Sequence, residues 1–183
     1  MFGGAVHSTF EEPSLEASWK IFLLSLGIEL GNASFNLSFG TFRPHLWLAN
    51  EQISIEIESY NNKDRAGGKP TRYQEVADQS NFPILCIKGI ALPHRYSVRL
   101  FAPRVKAHVY PKLYWATFAE GEGQKLCLIE GNKYWYLQNS ALIDSTAALT
   151  PQGHSDLILK AFDCANSTRL SSRESLLSCG SAE

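Results

Sequence analysis

Ile53-Ser54-Ile55-Glu56-Ile57-Glu58 alternates apolar and polar residues without a break. Side chains alternate across a strand, so the three isoleucines share one face and Ser54, Glu56 and Glu58 share the other. Two carboxylates therefore project from one side, roughly 7 Å apart by strand rise. Downstream, Phe82-Pro83-Ile84-Leu85-Cys86-Ile87 is a continuous apolar run, which suits a buried central strand. Between the two, the polar, Gly-rich stretch 61–70 predicts a loop and Thr71 to Ser80 a short helix.

Upstream, Glu12-Pro13-Ser14 opens a helix, with Leu15, Trp19, Phe22, Leu23 and Leu26 on one face and Gly27 as its end. Ser34 to Ser38 and Phe42 to Leu48 predict short strands. Beyond Gly89, strands are expected over 97–101, 105–110, 113–118, 125–129 and 134–137, and a closing helix over 151–170. The tail 180–183 should fray. Helix, hairpin-like strands, helix and strand make a mixed α/β layout, and the later strands suggest an antiparallel extension.

The 183 residues, 44% of them hydrophobic, suffice for one domain with a sizeable core. No apolar run approaches the roughly 18 residues of a membrane span, and the first ten residues carry no secretion signal. A soluble, cytoplasmic protein is expected. Cys86, Cys127, Cys164 and Cys179 lie too far apart for a zinc site and are expected to be reduced thiols.

The net charge of −1 is unevenly spread. Residues 60–112 hold 10 basic and 3 acidic side chains, whereas 1–59 hold 2 basic and 7 acidic. A basic middle between acidic flanks either faces phosphates or merely solvates loops. The candidate phosphate contacts are Arg43, Lys63, Lys69, Arg72, Arg95 and Arg99, with Arg104 and Lys106 nearby. Tyr134-Trp135-Tyr136 is a candidate stacking platform, although alternation turns at least one ring inward.

Metal-dependent phosphodiester cleavage needs carboxylates to hold divalent ions and a charged group to steady the developing negative charge. Leu15-Glu16-Ala17-Ser18-Trp19, Phe42-Arg43-Pro44-His45-Leu46-Trp47-Leu48, Ile55-Glu56-Ile57-Glu58, Glu75-Val76-Ala77 and Pro83 to Gly89 follow one another over about 75 residues. In order and spacing this series resembles the PD-(D/E)XK nuclease superfamily, in particular its small phage and bacterial members. The closing helix resembles the end of the same proteins more loosely. The resemblance implies a nuclease-like mixed sheet flanked by helices over 1–89. Residues 90–183 would supply a sheet extension and closing helix, in the same domain or in a small second lobe. It also implies a bacterial or phage-infected host cell as the setting.

Carried over, Glu16 matches the helix acid of that family and Glu56 the second motif acid. His45 stands where the family's metal-binding aspartate is expected, and Glu58 where its lysine is expected. Imidazole suits manganese or other transition metals better than magnesium. A negative charge replaces a cation that usually stabilises the transition state. Lys63, Lys69 or Lys88 could supply that cation from elsewhere, Lys88 from the end of the next strand. The catalytic candidates are thus Glu16, His45, Glu56, Glu58 and Lys88, and the metal candidates His45 and Glu56.

Three functions follow as expectations. The first is a catalytically impaired module that binds DNA or a protein partner. The second is an active endonuclease using Mg2+ or Mn2+ at a variant site. The third is an inhibitory or structural accessory protein. An inactive site would hold no cofactor.

Overall fold

A computed structural model of the protein describes residues 15–59, 68–120, 126–131, 133–137, 142–143 and 155–179. The helix opening at Glu12 to Ser14, the loop over 61–67 with Lys63, the start of the closing helix over 151–154 and the tail over 180–183 lie outside them.

Helix α1, Leu15–Ser25, buries Ser18, Trp19, Phe22 and Leu23. It ends where the sequence places its stop. Gly27 takes a left-handed φ of 72°. The Ile28 amide then donates to the Leu23 carbonyl at 3.1 Å and the Gly27 amide to Leu24 at 3.0 Å. These bonds satisfy carbonyls that the helix end would leave unpaired, and Ile28 is carried into the core.

Strands β1 (Leu30–Gly31), β4 (Leu46–Leu48), β5 (Ile53–Glu58), β6 (Ile84–Gly89) and β7 (Tyr96–Phe101) form a five-stranded sheet in the order β1-β4-β5-β6-β7. β5 and β6 run parallel, and helix α2 (Gly68–Ser80) is their crossover; the other pairs are antiparallel. The mixed character follows from chain lengths. A parallel pair needs a crossover of a dozen residues or more, whereas a short turn suffices for the antiparallel ones.

The expected strand from Phe42 to Leu48 is divided. Phe42 closes β3 (Gly40–Phe42), which pairs with β2 (Phe35–Leu37) in a separate hairpin, and β4 starts only at Leu46. Pro44 has no amide to donate to a ladder, which makes the break at 43–45 reasonable. The expected strand over 105–110 is absent. Arg104–Lys106 forms a 3-10 turn instead, with Val105 75% exposed. Alternation there suggested a strand, but the flanking Pro103 and Pro111 isolate it and the valines have no core to meet.

The two faces of the large sheet are covered differently. Ile53, Ile55, Ile57, Leu85, Ile87, Val98 and Leu100 join one apolar cluster with Trp19, Phe22, Phe118, Trp135 and Phe162. Phe162 lies on helix α3 (Asp156–Cys179), whose first turn is capped by Ser155 Oγ accepting the Ile158 amide at 3.3 Å. Ile84, Cys86 and Phe101 turn the other way, against Val76 and Ala77 of α2.

A four-stranded antiparallel sheet completes the described chain: β8 (Thr117–Glu120), β9 (Leu126–Glu130), β10 (Lys133–Tyr136) and β11 (Leu142–Ile143), in the order β11-β10-β9-β8. It attaches to the first sheet through paired bonds between Val98 and Ala116, at 2.8 and 2.9 Å. Phe118, Leu126, Leu128 and Trp135 of this sheet belong to the same cluster as Trp19, so one continuous core runs beneath both sheets. Among the described residues no helix is long and apolar enough to cross a membrane.

Candidate functional site

The acid-bearing face of β5 is not a solvated face. All six residues of the strand are buried, Glu56 at 7% and Glu58 at 9% exposure. Burying a carboxylate is costly unless it is hydrogen-bonded or paired, and both have partners. Glu58 accepts the Tyr73 hydroxyl at 2.9 Å. Tyr73 lies on α2, the helix that covers this face. Its burial, followed by the bond to Glu58 and the charges of Glu58, Cys86 and Glu56, pushes the phenol far up in pKa, so it remains a proton donor.

Glu56 is engaged by His45. One step beyond the Leu46–Ile55 register, His45 falls opposite Glu56 across the antiparallel pair. The His45 amide donates to Glu56 Oε1 at 3.2 Å, and His45 Nδ1 lies 3.3 Å from Glu56 Oε2. The hydrogen bond with Glu56 raises the His45 pKa; partial burial opposes it, and the charges of Glu56, Glu16 and Glu58 add to the rise. Nδ1 has a second neighbour, the Ile57 amide at 3.2 Å. The two contacts use opposite protonation states. A protonated Nδ1 donates to Glu56, and a bare Nδ1 accepts from Ile57. Pro44 sits where the ladder would continue toward Ile57, so the neutral imidazole replaces a missing strand partner.

Register places the remaining candidates. Glu58 of β5 stands opposite Lys88 of β6, which brings the expected displaced cation onto the same face, one strand spacing away. Glu56 stands opposite Cys86, and Cys86 opposite Arg99 of β7. Arg99 therefore shares the face two strands away, about 10 Å from Glu56 by strand spacing. Glu16 is exposed in the first turn of α1, near enough for its charge to act on His45. The structure thus gathers His45, Glu56, Glu58 and Lys88 at one end of the sheet, with Glu16 beside them. Arg43 and Arg72 are exposed, and Arg95 is exposed in the turn before β7. Lys69 falls within α2, and Lys63 lies outside the described residues.

The donor set matches magnesium poorly. Glu56 already holds the His45 amide, Glu58 holds Tyr73, and the third neighbour is an imidazole. Among the described residues no three His, Cys, Asp or Glu side chains group closely enough to hold a metal ion.

The candidate platform Tyr134-Trp135-Tyr136 is not one, since Trp135 and Tyr136 are both buried. Among the described residues the most exposed rings are Trp115 at 72% and Tyr114 at 50%, with Phe39 at 44%. The sequence predicts a strand over 113–118, of which only Thr117 and Phe118 belong to β8, so Tyr114 and Trp115 fall where a strand was expected. Compared with family models, curated proteins and solved structures, the chain matches none.

Proposed function

We propose that this chain is a nucleic-acid-binding module on a nuclease-like plan, in which the cleavage centre has become a self-satisfied cluster. One observation carries the reading: His45, in the position of a metal-binding acid, lies against Glu56. The carboxylate that would hold a divalent ion is occupied from within the chain, and Glu58 is likewise occupied by Tyr73. Arg99 on the same face, with Arg72 and Arg95 exposed, supplies charge for phosphates.

A second reading has its own support. Lys88 stands in register with Glu58, where a cation could steady a developing negative charge. On that reading His45 and Glu56 would hold Mn2+ in preference to Mg2+, and the chain would be a slow endonuclease.

Plasmid nicking with Mg2+ and with Mn2+, run beside a salt series of duplex binding, separates them. The module reading expects binding that weakens steeply with salt and no cutting above a Glu56→Ala control. Manganese-dependent nicking lost in both Glu56→Ala and Lys88→Ala would replace it with the second. Neither cutting nor salt-sensitive binding would leave a protein partner as the target.

A further inference from the structure

On the β7 side of the large sheet, two strands from Glu56 on the same face, a groove of about 430 Å³ is lined by Gln74, Arg99, Arg104, Tyr110, Lys112 and Tyr114, among others. Its central cation is built in. The Arg99 guanidinium lies 4.7 Å from the centre of the Phe101 ring and 5.4 Å from that of Tyr114. Rings at those distances hold the flat faces of the guanidinium and leave its edge N–H groups for an acceptor. Arg104 is placed from two sides. Its amide donates to Asp78 Oδ1 at 2.8 Å, and its Nε lies 3.5 Å from Asp78 Oδ2.

The rim is held as deliberately. Glu130 of β9 accepts the Tyr114 amide at 2.8 Å on Oε2 and the Trp115 amide at 2.9 Å on Oε1. A carboxylate with both oxygens on consecutive amides fixes that backbone, yet the two aromatic side chains it positions remain largely in water. Among the four tryptophans, Trp19 and Trp135 are fully buried and Trp47 packs against Phe35 and Phe82. Trp115 alone offers an open ring. Against the two carboxylates Asp78 and Glu130 stand Arg99, Arg104 and Lys112, and Asp78 and Glu130 are turned to Arg104 and to backbone amides.

We propose that this groove binds a short single strand of nucleic acid, with phosphates on Arg99, Arg104 and Lys112 and a base stacked on Tyr114; Trp115, next in the chain and outside the groove's own lining, is the open ring on which the strand would continue. Charge selects the backbone and ring faces select unpaired bases, since stacking on an aromatic side chain requires a base out of its duplex. A volume of about 430 Å³ suits a nucleotide or two. This proposal rests on the nucleic-acid reading above and specifies the strand state that reading leaves open.

The test titrates the full chain with an oligo(dT) 12-mer and, separately, with a 12-bp duplex of mixed sequence, at low and moderate salt. Anisotropy of the labelled strand and tryptophan fluorescence are both recorded. Oligo(dT) should quench the fluorescence, and Trp115→Phe should abolish most of the quench. Trp115→Ala and Tyr114→Ala should each weaken binding roughly tenfold, as loss of one stacked base does. Lys112→Ala should lower the salt slope by about one. Unchanged circular dichroism confirms that the surface variants fold. Oligo(dT) binding indifferent to all three substitutions overturns the groove, as does a duplex bound equally well through the same residues. Binding of the duplex alone, insensitive to these residues, overturns the groove and leaves the nucleic-acid reading standing. Binding of neither overturns both.

Discussion

At His45 one nitrogen serves two neighbours that require opposite protonation states, and pH decides between them. Contact with Glu56 raises its pKa above the usual histidine value. The stabilisation from the charged pair is therefore fully present below about pH 6.5, the unfolded value, and is lost as pH rises through the higher folded value. The side chain is 41% exposed, so solvent screening holds the contribution below about 1 kcal/mol. The Ile57 amide regains an acceptor on deprotonation, which softens the loss further. Urea midpoints of wild type and His45→Asn should lie furthest apart at or below about pH 6.5, the unfolded value, and converge as the pH rises above the folded value. A gap that stays constant or widens with pH would refute the assignment. The family resemblance pointed to His45 and Glu56 as members of one site. It did not reveal that the imidazole would take over from a strand partner, because that depends on where Pro44 ends the ladder.

Among the elements, α1 is tied to the large sheet by a buried long-range bond as well as by packing. Trp19 Nε1 donates to the Gly89 carbonyl at 2.9 Å in a fully buried setting. Gly89 has a φ of 112°, so its carbonyl direction depends on a backbone shape other residues rarely adopt. Trp19→Phe keeps most of the ring packing and removes the donor, leaving a buried carbonyl unpaired. The expected cost is about 1–3 kcal/mol, read from chemical denaturation, and a near-neutral result would mean that water or another donor takes over. Helix α1 and strand β5 were legible because their apolar periods are strong and unbroken. The burial of the acidic side of β5 was not, since alternation tells which residues share a face and not what covers it. Tyr73 covers it from a helix fifteen residues on. The segment around Val105 shows the converse error: a strand-like period between two prolines, with no partner to pair against. Tyr114 and Trp115 failed for a third reason. Open aromatic rings look like core in a sequence, and only the neighbouring sheet, through Glu130, determines that they stay outside.

For the whole molecule, the aromatic cluster at the junction of the two sheets governs cooperativity. Phe118 of β8 lies 5.3 Å from Phe22, 5.8 Å from Trp19 and 5.6 Å from Tyr96 between ring centres. Phe22 in turn meets Phe162 of α3 at 4.5 Å, and Asn166 of α3 donates to the Ala91 carbonyl at 2.9 Å. Removing Phe118 therefore loosens both sheets and helices α1 and α3 together. Phe118→Ala should cost about 3–5 kcal/mol. Far-ultraviolet circular dichroism and tryptophan fluorescence should still report one coincident transition in wild type. Two separated transitions would mean that the sheets unfold independently.

The strand β8, where the smaller sheet meets the larger, has a further consequence. Its Phe118 amide is taken by the Tyr96 hydroxyl at 2.9 Å, while the opposite limit of the larger sheet, β1, is only two residues long. Among the described residues, neither β8 nor β1 offers a long row of vacant amides on which a stray chain could add itself. One tyrosine oxygen and a strand cut short should thus keep these two strands from seeding fibrils on prolonged storage.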